Sequence, residues 1–193
     1  MKFVTYTNID GETPRFGFKR DDEIVDVIRS GIWVNENIKD ASFLTVPKTL
    51  KLALGNWDIN FSKLKNLNQA IPDTDLSSLE VDENPIAIKE SEASLLPPVT
   101  NPDTFRDFYA FEKHVKAARK LRGLEMHPDW YKLPIFYFSN PTTLYGHGEI
   151  VPYPTGTEEL DFELEFAIII ANGGQNIKKE NADKMIAGYT ILN

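Results

Sequence analysis

Three prolines within nine residues interrupt the sequence near its middle. The segment Leu95–Asp103 reads LLPPVTNPD, and proline fixes its own φ and lacks the amide hydrogen that a helix or an inner strand needs. Neither kind of element can therefore continue through this segment. With 193 residues, the chain is long enough for one or two domains. We predict a small β-rich N-terminal domain over residues 1–95 and a second domain over residues 96–193.

The N-terminal part shows short runs of β-forming residues separated by turn residues. These runs predict three strands, at Lys2–Thr7, Arg15–Lys19 and Glu23–Ile28. Residues 42–54 carry several leucines and are predicted to be helical, whereas residues 56–85 show little periodicity.

The second part alternates apolar runs with loop residues. We predict the following elements there: a helix over Asp103–Arg122 that Gly123 ends, a strand over Pro134–Phe138, a loop over residues 139–158, a short helix near Ala182–Ala187, and a strand over Gly188–Asn193. Together with the N-terminal strands, these elements predict an α+β fold that is mainly β.

An acidic run precedes a strongly apolar one. In LDFELEF, residues 160–166, the acids Asp161, Glu163 and Glu165 alternate with apolar side chains, so a strand would place all three carboxylates on one face. One interpretation is a half-exposed strand with a solvated acidic face. The alternative is a metal site, because the next residues enter a core, and carboxylates there must be protonated, paired or metal-bound. Oxygen ligands of this kind select a hard cation such as Mg²⁺, Mn²⁺ or Ca²⁺.

The predicted helix over 103–122 carries two polar residues on its apolar side. Asp107 and His114 are seven positions apart, which in a helix places them on one stripe. A lone histidine on such a face is usually a core residue with a hydrogen-bond partner, but an aspartate and a histidine together each need a partner or a water-filled pocket. The pair is therefore a candidate functional site.

Composition and charge exclude several classes of protein. The chain has no cysteine, which excludes disulfides and thiolate metal sites. A net charge of -8 argues against a nucleic-acid partner. The chain has no apolar run of membrane-spanning length and no basic amphipathic terminus, so we expect no membrane partner and a cytoplasmic location.

With these segments in place, the sequence resembles the fumarylacetoacetate hydrolase family, and within it the fumarylacetoacetase-type branch. The resemblance runs from about residue 95 to the end. It lies in Leu160-Asp-Phe-Glu-Leu-Glu165, in Arg106-Asp-Phe-Tyr-Ala-Phe-Glu-Lys-His114, in Arg122-Gly123, in Leu-Pro-Ile-Phe-Tyr137 and in Gly188-Tyr-Thr-Ile-Leu-Asn193. It implies the following roles: Asp107, Glu163 and Glu165 as metal ligands, His114 as the catalytic base, and Tyr109, Arg122 and Tyr137 as substrate-binding residues.

The resemblance also implies a reaction and an assembly. The expected activity is metal-dependent hydrolysis of a carbon–carbon bond in a 1,3-diketo acid such as fumarylacetoacetate or an acylpyruvate, as in aromatic amino acid catabolism. The expected cofactor is Mg²⁺, with Mn²⁺ or Ca²⁺ as alternatives, and the expected assembly is a homodimer. Two other functions stay open: a decarboxylase, isomerase or hydratase of a 2-oxo acid on the same metal site, and a catalytically incomplete fragment.

In one respect the sequence departs from the family pattern. The family places its last metal-binding aspartate directly after the asparagine that matches Asn193, where this sequence ends. Residues 96–193 are therefore expected to form only the first half of the family's mixed β-roll. Either the rest lies on a longer chain, or the chain is a remnant.

Overall fold

A computed structural model describes residues 1–9, 11, 13–38 and 45–193. Their contacts divide the chain into two compact units. The first contains residues 1–100 and 145–193, and the second contains residues 101–144. The fold is α+β and mainly β, as the sequence predicts. The expected domain boundary near residue 95 stays a prediction.

The elements are short. The strands are β1 Phe3–Asn8, β2 Arg15–Arg20, β3 Glu23–Asp26, β4 Glu80–Val81, β5 Asn84–Pro85, β6 Ala87–Lys89, β7 Ala93–Leu96, β8 Phe105–Phe108, β9 Phe136–Ser139, β10 Glu165–Ile170 and β11 Ile186–Leu192; the α-helices are α1 Val27–Asn37, α2 Leu50–Leu54, α3 Trp57–Ala70 and α4 Glu112–Leu121. Within the described ranges, no helix has both the length and the apolar character that crossing a bilayer requires.

A five-stranded sheet in the order β6-β3-β2-β1-β7 forms the base of the first unit. Every neighbouring pair in it is antiparallel. The three predicted N-terminal strands lie in this sheet within two residues of their expected ends. The third ends early, at Asp26, because the Asp26 carboxylate accepts a hydrogen bond from the backbone N–H of Arg29 at 2.8 Å and so caps α1.

Helix α3 packs against this sheet and supplies much of the core. Trp57, Leu64 and Leu67 are buried, and Phe61 stacks on Trp57 with ring centroids 5.1 Å apart. The prediction of little periodicity over 56–85 is therefore wrong. The helix predicted over 42–54 is present only as α2, and its residues 42–44 lie outside the described residues.

Strands β10 and β11 form an antiparallel hairpin in the first unit, with Glu165 opposite Leu192. Ala171 and Ala187 contact the core of the unit. The other face is exposed, and on it Phe166 stacks on Tyr189 with ring centroids 5.1 Å apart. A short 3-10 helix, Lys179–Met185, joins the two strands where a short helix is predicted.

The second unit consists of the β8–β9 ladder and helix α4. The predicted helix over Asp103–Arg122 is wrong in nearly its whole first half, because residues 105–108 pair with β9 as a strand. The helix begins only at Glu112 and ends at Leu121, and Gly123 with φ 69° follows its C-terminus. Asp107 and His114 therefore do not share a helical stripe; they lie on a strand and on the helix that follows it.

Candidate active site

Asp107 lies in the middle of β8, directly opposite Tyr137 of β9. Residues that face each other across an antiparallel ladder point to the same side of the sheet, with Cβ atoms about 4.5–5.5 Å apart. Asp107 is half-buried, whereas the Tyr137 side chain is 77% exposed. The ladder thus brings together one predicted metal ligand and one predicted substrate-binding residue, on a face that solvent reaches.

Tyr109 follows β8, and two other predicted groups of this unit, His114 and Arg122, contact it. The His114 imidazole packs edge-on against its ring, with centroids 5.9 Å apart and planes at 88°. The Arg122 guanidinium donates to the Tyr109 hydroxyl at 3.4 Å. The backbone N–H of Tyr109 donates to the carbonyl of Ile135 at 3.0 Å, which fixes the residue to the start of β9. A base, a cation and a phenol therefore lie together at one end of the ladder.

The first turn of α4 carries its own charge network. The Lys116 ammonium lies 2.6 Å from the Glu112 carboxylate, and the Tyr131 hydroxyl donates to the same carboxylate at 2.7 Å. These hydrogen bonds lower the pKa of Glu112 and raise the pKa values of Lys116 and Tyr131. Glu112 therefore stays ionised near the positive end of the helix dipole, two residues before His114.

The acidic run lies in the first unit, and only its last residue is in a strand. β10 begins at Glu165, because its partner β11 ends opposite it at Leu192, so the strand considered for residues 160–166 is not formed before Glu165. Asp161 and Glu163 precede the strand and are exposed, whereas Glu165 is half-buried. The Glu163 backbone N–H donates to the Asn193 side-chain oxygen at 2.9 Å. Within the part of the chain that the structure describes, neither Glu163 nor Glu165 forms an ion pair with a lysine or arginine.

The chemistry of the predicted donors fits a hard divalent cation, since all three are carboxylates. The positions of these three carboxylates support a metal site less well than their chemistry does. Among the described residues, no three side chains of the metal-binding types lie close enough to one another to hold an ion. The predicted ligand roles of Asp107, Glu163 and Glu165 therefore stay predictions.

The sequence reasoning missed the contribution of the short 3-10 helix Pro128–Tyr131. The indole Nε1 of Trp130 donates to the backbone carbonyl of Tyr109 at 2.8 Å, and Tyr131 holds Glu112 as described above. One signal was present in the sequence: a proline at position 128 after a residue able to cap a helix predicts a helical turn. The contacts of that turn with residues 109 and 112 join positions about 20 residues apart, which no local pattern predicts.

The comparisons with known proteins support the resemblance. The family model described as fumarylacetoacetate (FAA) hydrolase C-terminal matches residues 103–193. This segment therefore belongs to the fumarylacetoacetate hydrolase family, as predicted. It contains all seven residues to which the resemblance assigns a role.

Individual relatives carry two kinds of name. The mitochondrial oxaloacetate tautomerase fahd2 of Xenopus laevis is 26% identical over 193 residues, which cover 99% of this chain and 50% of that protein. The fumarylacetoacetase of Arabidopsis thaliana is 28% identical over 210 residues, covering 94% of this chain and 49% of the relative. The oxaloacetate tautomerase YisK of Bacillus subtilis is 41% identical over 61 residues, covering 31% of this chain and 20% of that protein. The chain thus spans about half the length of the Xenopus and Arabidopsis relatives.

Proposed function

We propose that this chain belongs to a divalent-metal-dependent hydrolase that cleaves a carbon–carbon bond in a 1,3-diketo acid, with His114 as the general base. The observation that carries the proposal is the convergence of His114 and Arg122 on Tyr109 in the second unit. A base beside a cationic side chain suits a substrate that is anionic and must be attacked by water.

In this proposal His114 takes a proton from a water molecule, whose oxygen attacks the carbonyl carbon at the bond to be broken. Histidine suits the task because its unperturbed pKa lies near neutrality. The carbon–carbon bond then breaks with its electron pair on the departing enolate, which takes up a proton to become a keto acid. The acyl half leaves as a carboxylate.

Three side chains orient the substrate in this scheme. The Arg122 guanidinium pairs with a substrate carboxylate, because its planar donors match carboxylate geometry. The hydroxyls of Tyr109 and Tyr137 donate to substrate oxygens. These groups hold the reacting carbonyl within reach of the water that His114 activates.

A divalent metal completes the proposal, with Mg²⁺ as the preferred ion and Mn²⁺ or Ca²⁺ as alternatives. Enzymes of this family are generally dependent on a divalent metal. Asp107, Glu163 and Glu165 would be its ligands in this chain. When bound, such an ion acts as a Lewis acid that polarises a carbonyl oxygen.

A second function is favoured by the names of two relatives. The Xenopus and Bacillus proteins are oxaloacetate tautomerases. Tautomerisation of a 2-oxo acid needs the same donors and a group that moves a proton between carbon and oxygen, with no attack by water. The isomerase alternative therefore uses the same residues on a different substrate.

The two functions are separated by assaying the full-length protein on an acylpyruvate and on enol-oxaloacetate, with Mg²⁺ and with a chelator. Hydrolysis predicts acid release from the acylpyruvate that the chelator abolishes. Rapid ketonisation of oxaloacetate without acylpyruvate cleavage would overturn the hydrolase in favour of the tautomerase. No metal-dependent turnover of either substrate by the full-length protein would contradict both functions. The homodimer and the cytoplasmic location stay predictions from the resemblance and the composition.

A further inference from the structure

We propose that the 3-10 helix Pro128–Tyr131 is a positioning element that holds the proposed base in place. It is bonded to both sides of the connection between β8 and α4, at Tyr109 and at Glu112. It thereby fixes the packing of His114 against Tyr109. The inference rests on the proposed function, because it takes His114 as the base.

The first anchor is Trp130. Its indole N–H can only donate a hydrogen bond, and it donates to the carbonyl of Tyr109 at 2.8 Å. The N–H of Tyr109 is already bonded to the carbonyl of Ile135 at 3.0 Å. Both polar groups of the Tyr109 backbone are therefore held, so the direction in which its Cα–Cβ bond leaves the backbone is set by two neighbouring segments of the second unit.

The second anchor is Tyr131. Its hydroxyl donates to the carboxylate of Glu112, the first residue of α4, at 2.7 Å. Lys116 holds the same carboxylate from one turn further along the helix, at 2.6 Å. The start of the helix that carries His114 is therefore tied to the 3-10 helix by a charged hydrogen bond, which is stronger than a neutral one.

The two anchors are also fixed to each other. The rings of Trp130 and Tyr131 meet edge-on with centroids 5.0 Å apart. The His127 Nδ1 accepts the backbone N–H of Asp129 at 3.2 Å, which caps the turn, and the N–H of Trp130 donates to the His127 carbonyl at 3.1 Å. A displacement of Tyr109 relative to α4 must therefore break a contact of this turn.

The expected consequence is a loss of turnover with little change in substrate binding. Without the Trp130 bond, Tyr109 keeps its bonds to Ile135 and Arg122, but its ring is no longer held against His114. Small errors in the placement of a base lower kcat, whereas KM follows the groups that bind the substrate. Removal of one neutral hydrogen bond corresponds to a decrease of about three- to tenfold in kcat.

The test compares Trp130→Phe and Tyr131→Phe with two matched controls in the other unit, Trp33→Phe and Tyr153→Phe, in the full-length protein. We expect both test variants to lower kcat for acylpyruvate hydrolysis with KM and Mg²⁺ affinity unchanged, and the controls to change neither constant. Tyr131→Phe removes one hydroxyl from a side chain that is 57% exposed, so it keeps the test valid if Trp130→Phe does not fold.

A double-mutant cycle with Tyr109→Ala identifies the route of the effect. If Trp130 acts through the Tyr109 ring, Trp130→Phe lowers kcat much less in the Tyr109→Ala background than in the wild type. Equal effects in both backgrounds, or a wild-type kcat in both test variants, would overturn the inference. A failure of the hydrolase proposal is distinguishable, because the wild-type protein would then show no hydrolysis that His114→Ala removes.

Discussion

The imidazole of His114 meets the ring of Tyr109 edge-on, with centroids 5.9 Å apart. Tyr109 directly follows the strand that carries Asp107, and His114 lies in the first turn of the following helix. Four residues separate them, and the change from strand to helix across those residues turns the two side chains toward each other. A continuous helix would place residues five apart on different faces.

Arg122 is expected to govern substrate binding. Arg122→Ala removes the cation beside the Tyr109 hydroxyl, so KM for a keto acid should rise by about ten- to a hundredfold, as expected for loss of a charged hydrogen bond. Steady-state kinetics measure the change. Lys120→Ala, which removes the same charge two residues earlier in the chain, is the control and should leave KM near the wild-type value. An equal rise in both variants would indicate a general effect of charge.

Glu163 and Glu165 are expected to bind the metal. Glu163→Gln and Glu165→Gln each remove one anionic ligand and should weaken Mg²⁺ binding by at least about tenfold. Calorimetric titration of the full-length protein with Mg²⁺ measures the affinity. Glu159→Gln makes the same change of charge in the same segment and should bind Mg²⁺ like the wild type. Unchanged affinity in the first two variants contradicts the ligand assignment.

Asp26 is expected to stabilise the first unit. Its carboxylate is buried, caps α1 through the N–H of Arg29, and accepts from Arg15 at 2.6 Å and from the Tyr6 hydroxyl at 2.9 Å. Asp26→Ala should lower the free energy of unfolding by about 2–4 kcal/mol, from the lost cap and the lost charged hydrogen bonds. Urea unfolding measures it. The exposed Asp22 is the control, and its replacement by alanine should cost less than about 1 kcal/mol.

Tyr6 is expected to make the free energy of unfolding depend on pH in alkaline solution. Burial, with the neighbouring Asp26 carboxylate, raises its pKa above the ordinary value. A group whose pKa is raised on folding contributes stability that is fully present below its unfolded pKa, about 10, and is lost as the pH rises from there toward the folded pKa. The free energy of unfolding should therefore fall more steeply above pH ~10 in the wild type than in Tyr6→Phe. If the free energy of unfolding changed equally with pH in the two proteins, this role of Tyr6 would be contradicted.

The sequence predicts the N-terminal strands well because turn residues such as Asp21, with φ 48°, interrupt the chain between apolar runs. Helix α3 was also within reach, since Trp57, Phe61 and Leu64 recur at helical spacing. By contrast, the span from 103 to 111 has a helical pattern, but part of it pairs as a strand with β9, which lies about 30 residues later in the chain. Pairing between distant segments overrides local propensity there.

The candidate site was predictable only in part, for a similar reason. Single residues of the types that do acid–base and metal chemistry are visible in the sequence, and the family resemblance assigns them roles. The contact of Arg122 with Tyr109, and the contacts of Trp130 and Tyr131 with the connection between β8 and α4, depend on hydrogen bonds between segments distant in sequence. Local periodicity contains no information on such bonds.

The most direct test of the account is the hydrolysis of an acylpyruvate by the His114→Ala variant of the full-length protein, with Mg²⁺ affinity measured on the same sample. His147→Ala, at an exposed histidine, is the matched control. We predict that His114→Ala loses hydrolysis by about a hundredfold or more, as expected for removal of a general base, and still binds Mg²⁺ like the wild type. Hydrolysis at the wild-type rate in His114→Ala would contradict the central claim.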